Sequence, residues 1–145
     1  MNRKIIAVCA VVFSAIFFAF SPGSEKAEGF APPVFGKCAI PPFREAFDRS
    51  SAVFVGTVKS EKKEGDVRTF EFEVEKYWKG AKKRKIQISV YETARYQAWF
   101  EVGGKYLIYA AASDGAHRVG RCSRSRDAGD AAEDLGKLGK GKRPR

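Results

Sequence analysis

The sequence predicts an all-β fold, a five-stranded Greek-key barrel with short flanking helices. Three observations carry this. Five short apolar segments between Ala52 and Cys122 have strand character, no crossover helix separates them, and helical apolar spacing occurs only before the first and after the last. Two cysteines, Cys38 and Cys122, bracket the set.

Arg3 and Lys4 precede an uncharged run from Ile5 to Phe20, the pattern of a secretory signal. The run is shorter than the roughly 20 residues that span a bilayer, which favours a cleaved signal over a retained anchor. Ser21 and Gly23 permit a cut before Ser24, so residues 1–23 are assigned to the signal. Cys9 leaves with it, and Cys38 and Cys122 remain as an even pair. Export to the extracellular space or the cell envelope favours one disulfide, with two buried free thiols as the alternative. Residues 24–36, rich in Pro, Gly and charge without a period, read as a flexible linker.

The domain is expected over residues 37–138. Behind Pro41 and Pro42, Phe43, Ala46 and Phe47 fall at i, i+3 and i+4, which predicts a short helix to Arg49. The first strand is Ala52 to Val58, almost wholly apolar as for a strand covered on both faces, with Gly56 as a bend. Lys59 to Asp66 reads as a charged turn. From Val67 to Trp78 the period is two, with Phe70, Phe72 and Val74 facing the core and Glu71, Glu73 and Glu75 facing water. A basic turn, Lys79 to Lys85, leads to a third strand built on Ile86, Ile88 and Val90. The fourth is Lys105 to Ala111, and the fifth, His117 to Cys122, returns after the Ser113-Asp114-Gly115 turn. Ala128, Ala131, Ala132, Leu135 and Leu138 recur at helical spacing behind Asp127 as N-cap, giving a closing helix. Residues 139–145, GKGKRPR, lack apolar side chains and read as a disordered basic tail.

The segments CAIPPFREAFDRSSAVFVGTV, VEKYWKG, GGKYLIYAA and GRCSRS together resemble the netrin-like domain of tissue inhibitors of metalloproteinases, especially its bacterial secreted relatives. The resemblance runs from Gly36 to Leu138 and implies an OB-like five-stranded barrel. It also implies a disulfide between Cys38 and Cys122, the counterpart of one family bridge. The animal inhibitors chelate a protease's zinc with the first cysteine of a Cys-x-Cys triplet, but here that triplet reads Gly36-Lys37-Cys38. The segment that carries that cysteine's disulfide partner reads Ala98-Trp99-Phe100. Zinc-chelating inhibition is therefore not expected.

No catalytic motif is present, and Glu71, Glu73 and Glu75 read as a solvated strand face. Cys38, Cys122 and His117 lack the spacing of a metal set, so neither an enzyme nor a cofactor is expected. Without Arg3 and Lys4 the 27 Lys and Arg fall to 25 against 17 Asp and Glu, a formal charge of +8. Two binding functions follow. One is an inhibitor-like module for an extracellular protein, with contacts at Pro41, Pro42, Tyr91, Tyr96 and Trp99. The other is attachment to anionic envelope polymers or lipid headgroups through Lys82, Lys83, Arg84, Lys85, Arg118 and Arg121. Export argues against nucleic acid as the partner.

Overall fold

Why a chain this basic closes on itself is visible in its strand pairing. The computed structural model describes residues 38–145; the signal and linker calls, and the first residue of the expected domain, lie outside them. Helix α1 (Phe43–Arg49) leads into strands β1 (Ala52–Glu64), β2 (Val67–Lys79), β3 (Lys85–Tyr91), β4 (Lys105–Ser113), β5 (Ala116–Arg118) and β6 (Arg126–Asp127), and helix α2 (Ala132–Leu138) follows. The hydrogen-bonded order is β1-β2-β3-β5-β4-β6, and β1 also pairs with β4, so five strands form a ring. All ring pairings are antiparallel except β3 with β5, which is parallel.

Alternation sorts the side chains. Phe54, Val58, Phe70, Phe72, Val74, Ile88, Val90, Tyr106 and Ile108 fill the ring interior. Phe100, from the segment between β3 and β4, joins them with its ring centroid 5.3 Å from Phe70 and 5.0 Å from Tyr106. Burial of each such aromatic is worth about 1.5–3 kcal/mol. The opposite faces of β1 and β4 are covered as well: Val53, Leu107 and Tyr109 pack with Ala46 and Phe47 of α1 and with Ala131 and Leu135. That second layer explains why Ala52 to Val58 and Tyr106 to Ala110 are apolar without alternation.

The sequence places a turn at Lys59 to Asp66, but β1 continues to Glu64 and only Gly65 and Asp66 turn, so β1 and β2 form a long hairpin arm. Both faces of residues 59–64 are exposed, so backbone pairing rather than burial holds the strand. The fifth strand is confined to Ala116–Arg118, and β6 is a two-residue strand on β4. Asp127 does not cap α2. It lies in β6, its carboxylate accepts from Gly129 N, and the helix begins at Ala132.

Two basic segments are also placed by backbone contacts. Gly80 has φ +70°, and a Cβ there would lie 2.0 Å from Ser51 O, so the turn after β2 presses against the start of β1 in a way only glycine permits. The tail expected to be disordered is instead docked. β2 runs beyond its last partner in β3, Glu73 with Lys85, and on that free edge Tyr77 exchanges backbone hydrogen bonds with Lys142 at 2.9 and 2.8 Å. An uncovered strand edge offers such donors and acceptors to any extended segment, whatever its side chains.

Candidate functional site

The charged surfaces begin with the turn between β2 and β3. Lys79 is absorbed structurally, its Nζ donating to the carbonyls of Phe47 and Asp48 at the end of α1. Lys85 pairs with Glu71 at 2.8 Å. Lys82, Lys83 and Arg84 are exposed and have no carboxylate partner among the described residues. The docked tail ends beside them, Arg145 N donating to Lys82 O at 2.9 Å. Lys140, Lys142, Arg143 and Arg145 are likewise exposed without a carboxylate partner among the described residues. Two stretches 55 or more residues apart in sequence thus share one basic face, with a cleft of about 350 Å³ walled by Lys82, Lys83, Lys85, Ile86 and His117. Ser51 Oγ donates to Ala110 O at 3.1 Å and lies 2.9 Å from His117 Nδ1.

Arg118 and Arg121 are not part of this face. Arg118 pairs with Asp114 at 3.3 Å across an exposed turn and, with Arg121, lines a second cleft that also contains Tyr91, Thr93 and Tyr96. Residues assigned from sequence to two different functions therefore meet in one place. Trp99, 40% exposed, packs against Phe100 and Tyr106 and is a hydrogen-bonding neighbour of Tyr96.

A third cleft, about 430 Å³, lies beside the Cys38–Cys122 disulfide, whose Cα atoms are 5.2 Å apart. Pro41, Pro42 and the exposed Ile40 form one side, and Arg118 and Arg124 contribute to the other. Beneath it Arg124 grips the fully buried Asp134 and donates from Nη1 to Pro41 O at 3.2 Å. Tyr109 Oη donates to the same carboxylate, and burial, reinforced by that negative charge, pushes its phenol up.

The chain matches no family model and no curated protein.

Two polar centres escaped the sequence reading. Arg124 lies in a segment with Arg121 and Arg126, and nothing in that segment points to Asp134. Glu92, inside a polar stretch, proves to be buried: Oε1 accepts from Arg68 Nε and from the amide of Ala98, each at 2.9 Å, and Oε2 is 2.7 Å from Lys63 Nζ. Lys63 first, then the Ala98 amide, with Arg68 adding to them, hold its carboxyl down at about 2 against the opposing effect of burial. This carboxylate staples the segment after β3 to the hairpin arm. Among the described residues no three His, Cys, Asp or Glu side chains converge as a metal set.

Proposed function

We propose that this chain is a non-enzymatic binding module whose loop–tail face holds anionic polymers outside the cytoplasm. One observation carries the reading: the docking of the tail on β2, which places the cations of residues 140–145 beside Lys82, Lys83 and Arg84. Cations held in one place without internal carboxylates attract a polyanion by summed charge and by release of its counterions.

The ring is, on this reading, an OB-like barrel of the netrin-like kind. Its support is the order β1-β2-β3-β5-β4 closed by β1 with β4, the parallel β3–β5 pair, and the disulfide joining the segment before α1 to the segment after β5. A second reading, an inhibitor-like module for an extracellular protein, is favoured by the cleft where Ile40, Pro41 and Pro42 are exposed or half-exposed beside the disulfide.

Chromatography of the mature protein on an immobilised sulfated polysaccharide separates the two. Retention is expected at low ionic strength, with a steep loss as salt rises. Replacing Lys82, Lys83, Arg84, Lys142 and Arg143 together by Gln should abolish it. Retention unchanged by these substitutions would refute the polyanion reading. Binding confined to anionic vesicles would replace polymer by lipid as the ligand. Salt-insensitive capture of a single extracellular protein, lost on changing Ile40 to Asp, would favour the inhibitor-like reading.

A further inference from the structure

The cleft formed by Tyr91, Thr93 and Tyr96 on one side and Arg118 to Arg121 on the other has a volume of about 400 Å³, within the range of roughly 300–1,000 Å³ typical of small-ligand sites. Backbone bonds fix both walls. Thr93 and Tyr96 exchange hydrogen bonds at 2.8 and 3.1 Å, and Val119 N donates to Ser89 O of β3 at 3.1 Å. Glu92, between Tyr91 and Thr93, is pinned by Arg68, Lys63 and the Ala98 amide. The cleft is preformed.

Its cationic wall is open: the Arg118 side chain is 35% exposed and Arg121 is exposed. Tyr96 Oη and Arg118 Nε are closed to solvent behind it, with Trp99 a hydrogen-bonding neighbour of the Tyr96 phenol. The groups a ligand would meet are the guanidinium ends, Thr93 and the Tyr91 side chain. The Arg118–Asp114 contact is long and exposed, so it holds the guanidinium only weakly. Burial pushes the Tyr96 phenol up, which keeps it a donor.

The lining chemistry narrows the ligand. Two guanidinium groups match a planar carboxylate or a sulfate. The hydroxyls of Tyr91 and Thr93 and the half-exposed Tyr91 ring suit a polyhydroxylated ring with C–H faces, and Val119 is the single aliphatic side chain among the lining residues. We infer that this cleft binds one anionic sugar unit, carboxylated or sulfated, seated between Tyr91 and the Arg118–Arg121 wall. The inference rests on the polyanion reading only in taking the natural ligand to be a polymer, whose repeating unit it names.

The test titrates the mature protein at physiological salt with tetragalacturonate, its fully methyl-esterified neutral form, a sulfated neutral tetrasaccharide, and a peptide with a free carboxyl terminus. Amide NMR and calorimetry give the readout. At least one charged tetrasaccharide should bind, with shifts at residues 91–96 and 118–121, and which one binds identifies the acid. The methyl ester should bind about tenfold more weakly or worse, and Arg121→Gln and Tyr91→Ala, both at exposed positions, should each cost about tenfold. No binding of either charged tetrasaccharide, equal binding of the ester, tighter binding of the peptide, or loss on changing Lys82, Lys83 and Arg84 but not Tyr91 or Arg121 would each overturn the inference. Column retention without tetrasaccharide binding would refute this site alone, and the converse would refute the loop–tail reading alone.

Discussion

Arg124 holds Asp134 in a two-pronged grip, Nε 2.7 Å from Oδ2 and Nη2 2.6 Å from Oδ1, with the carboxylate fully removed from solvent. The pair joins α2 to the segment after β5, and through Pro41 O to the segment before α1. Changing Arg124 to Ala leaves a buried charge facing Tyr109 and should cost about 3–5 kcal/mol in denaturant titrations. The double change Arg124→Met with Asp134→Leu should recover most of that loss. A single change costing under 1 kcal/mol would show that the grip is not structural.

The disulfide joins residues 84 apart in sequence, and closing a loop of that length removes unfolded-state entropy worth about 4.6 kcal/mol as an upper figure. Reduction, or the change of both cysteines to Ser, should lower the melting temperature sharply. Two alkylatable thiols in the unreduced protein, found by mass spectrometry, would contradict the bridge.

Removing residues 140–145 deletes the two backbone bonds to Tyr77 and the one to Lys82 O, and should lower stability by about 1–3 kcal/mol. Replacing the tail's cations by Gln keeps those bonds and should leave stability unchanged while weakening polyanion retention. Thermal melts of the two variants side by side check this. Equal melting temperatures for truncated and intact protein would place the tail off the edge of β2.

Glu92 has a carboxyl held at about 2, below the ordinary 4.5, so the folded state binds its proton less readily than the unfolded chain. Its contribution to stability is complete above about pH 4.5 and is lost as pH falls toward 2. Unfolding measured across that window should show a decline that Glu92→Gln flattens. An identical pH slope in the variant would remove Glu92 as its source.

The interior was legible because burial leaves a period. Phe70, Phe72 and Val74 alternate with glutamates, and the unbroken apolar run at Ala52 to Val58 announced a strand covered on both sides. The hairpin arm was not legible, since KSEKKE buries neither face and its pairing with β2 resides in the backbone. For the same reason the tail's composition signalled disorder although β2 had an edge to offer. At the sites, individual cations were visible but their partners were not. Nothing near Arg124 in sequence distinguishes it, half-buried and paired with Asp134, from Arg121, exposed beside Tyr96. Tyr91 and Arg118 lie far apart along the chain and meet only because β5 lies parallel to β3.

The docked tail carries its own optical reporter. Trp78 donates its indole N–H to Gly139 O at 3.1 Å, and Gly141 sits so close to the indole and the Lys76 stem that a Cβ there would lie 3.0 Å from Trp78 Cε2. Detachment of the tail strips one side of that indole and breaks its hydrogen bond, which shifts the emission toward the red. With Trp99 changed to Phe, fluorescence from Trp78 alone would follow tail release in real time, so assembly of the basic face becomes readable in solution without a label.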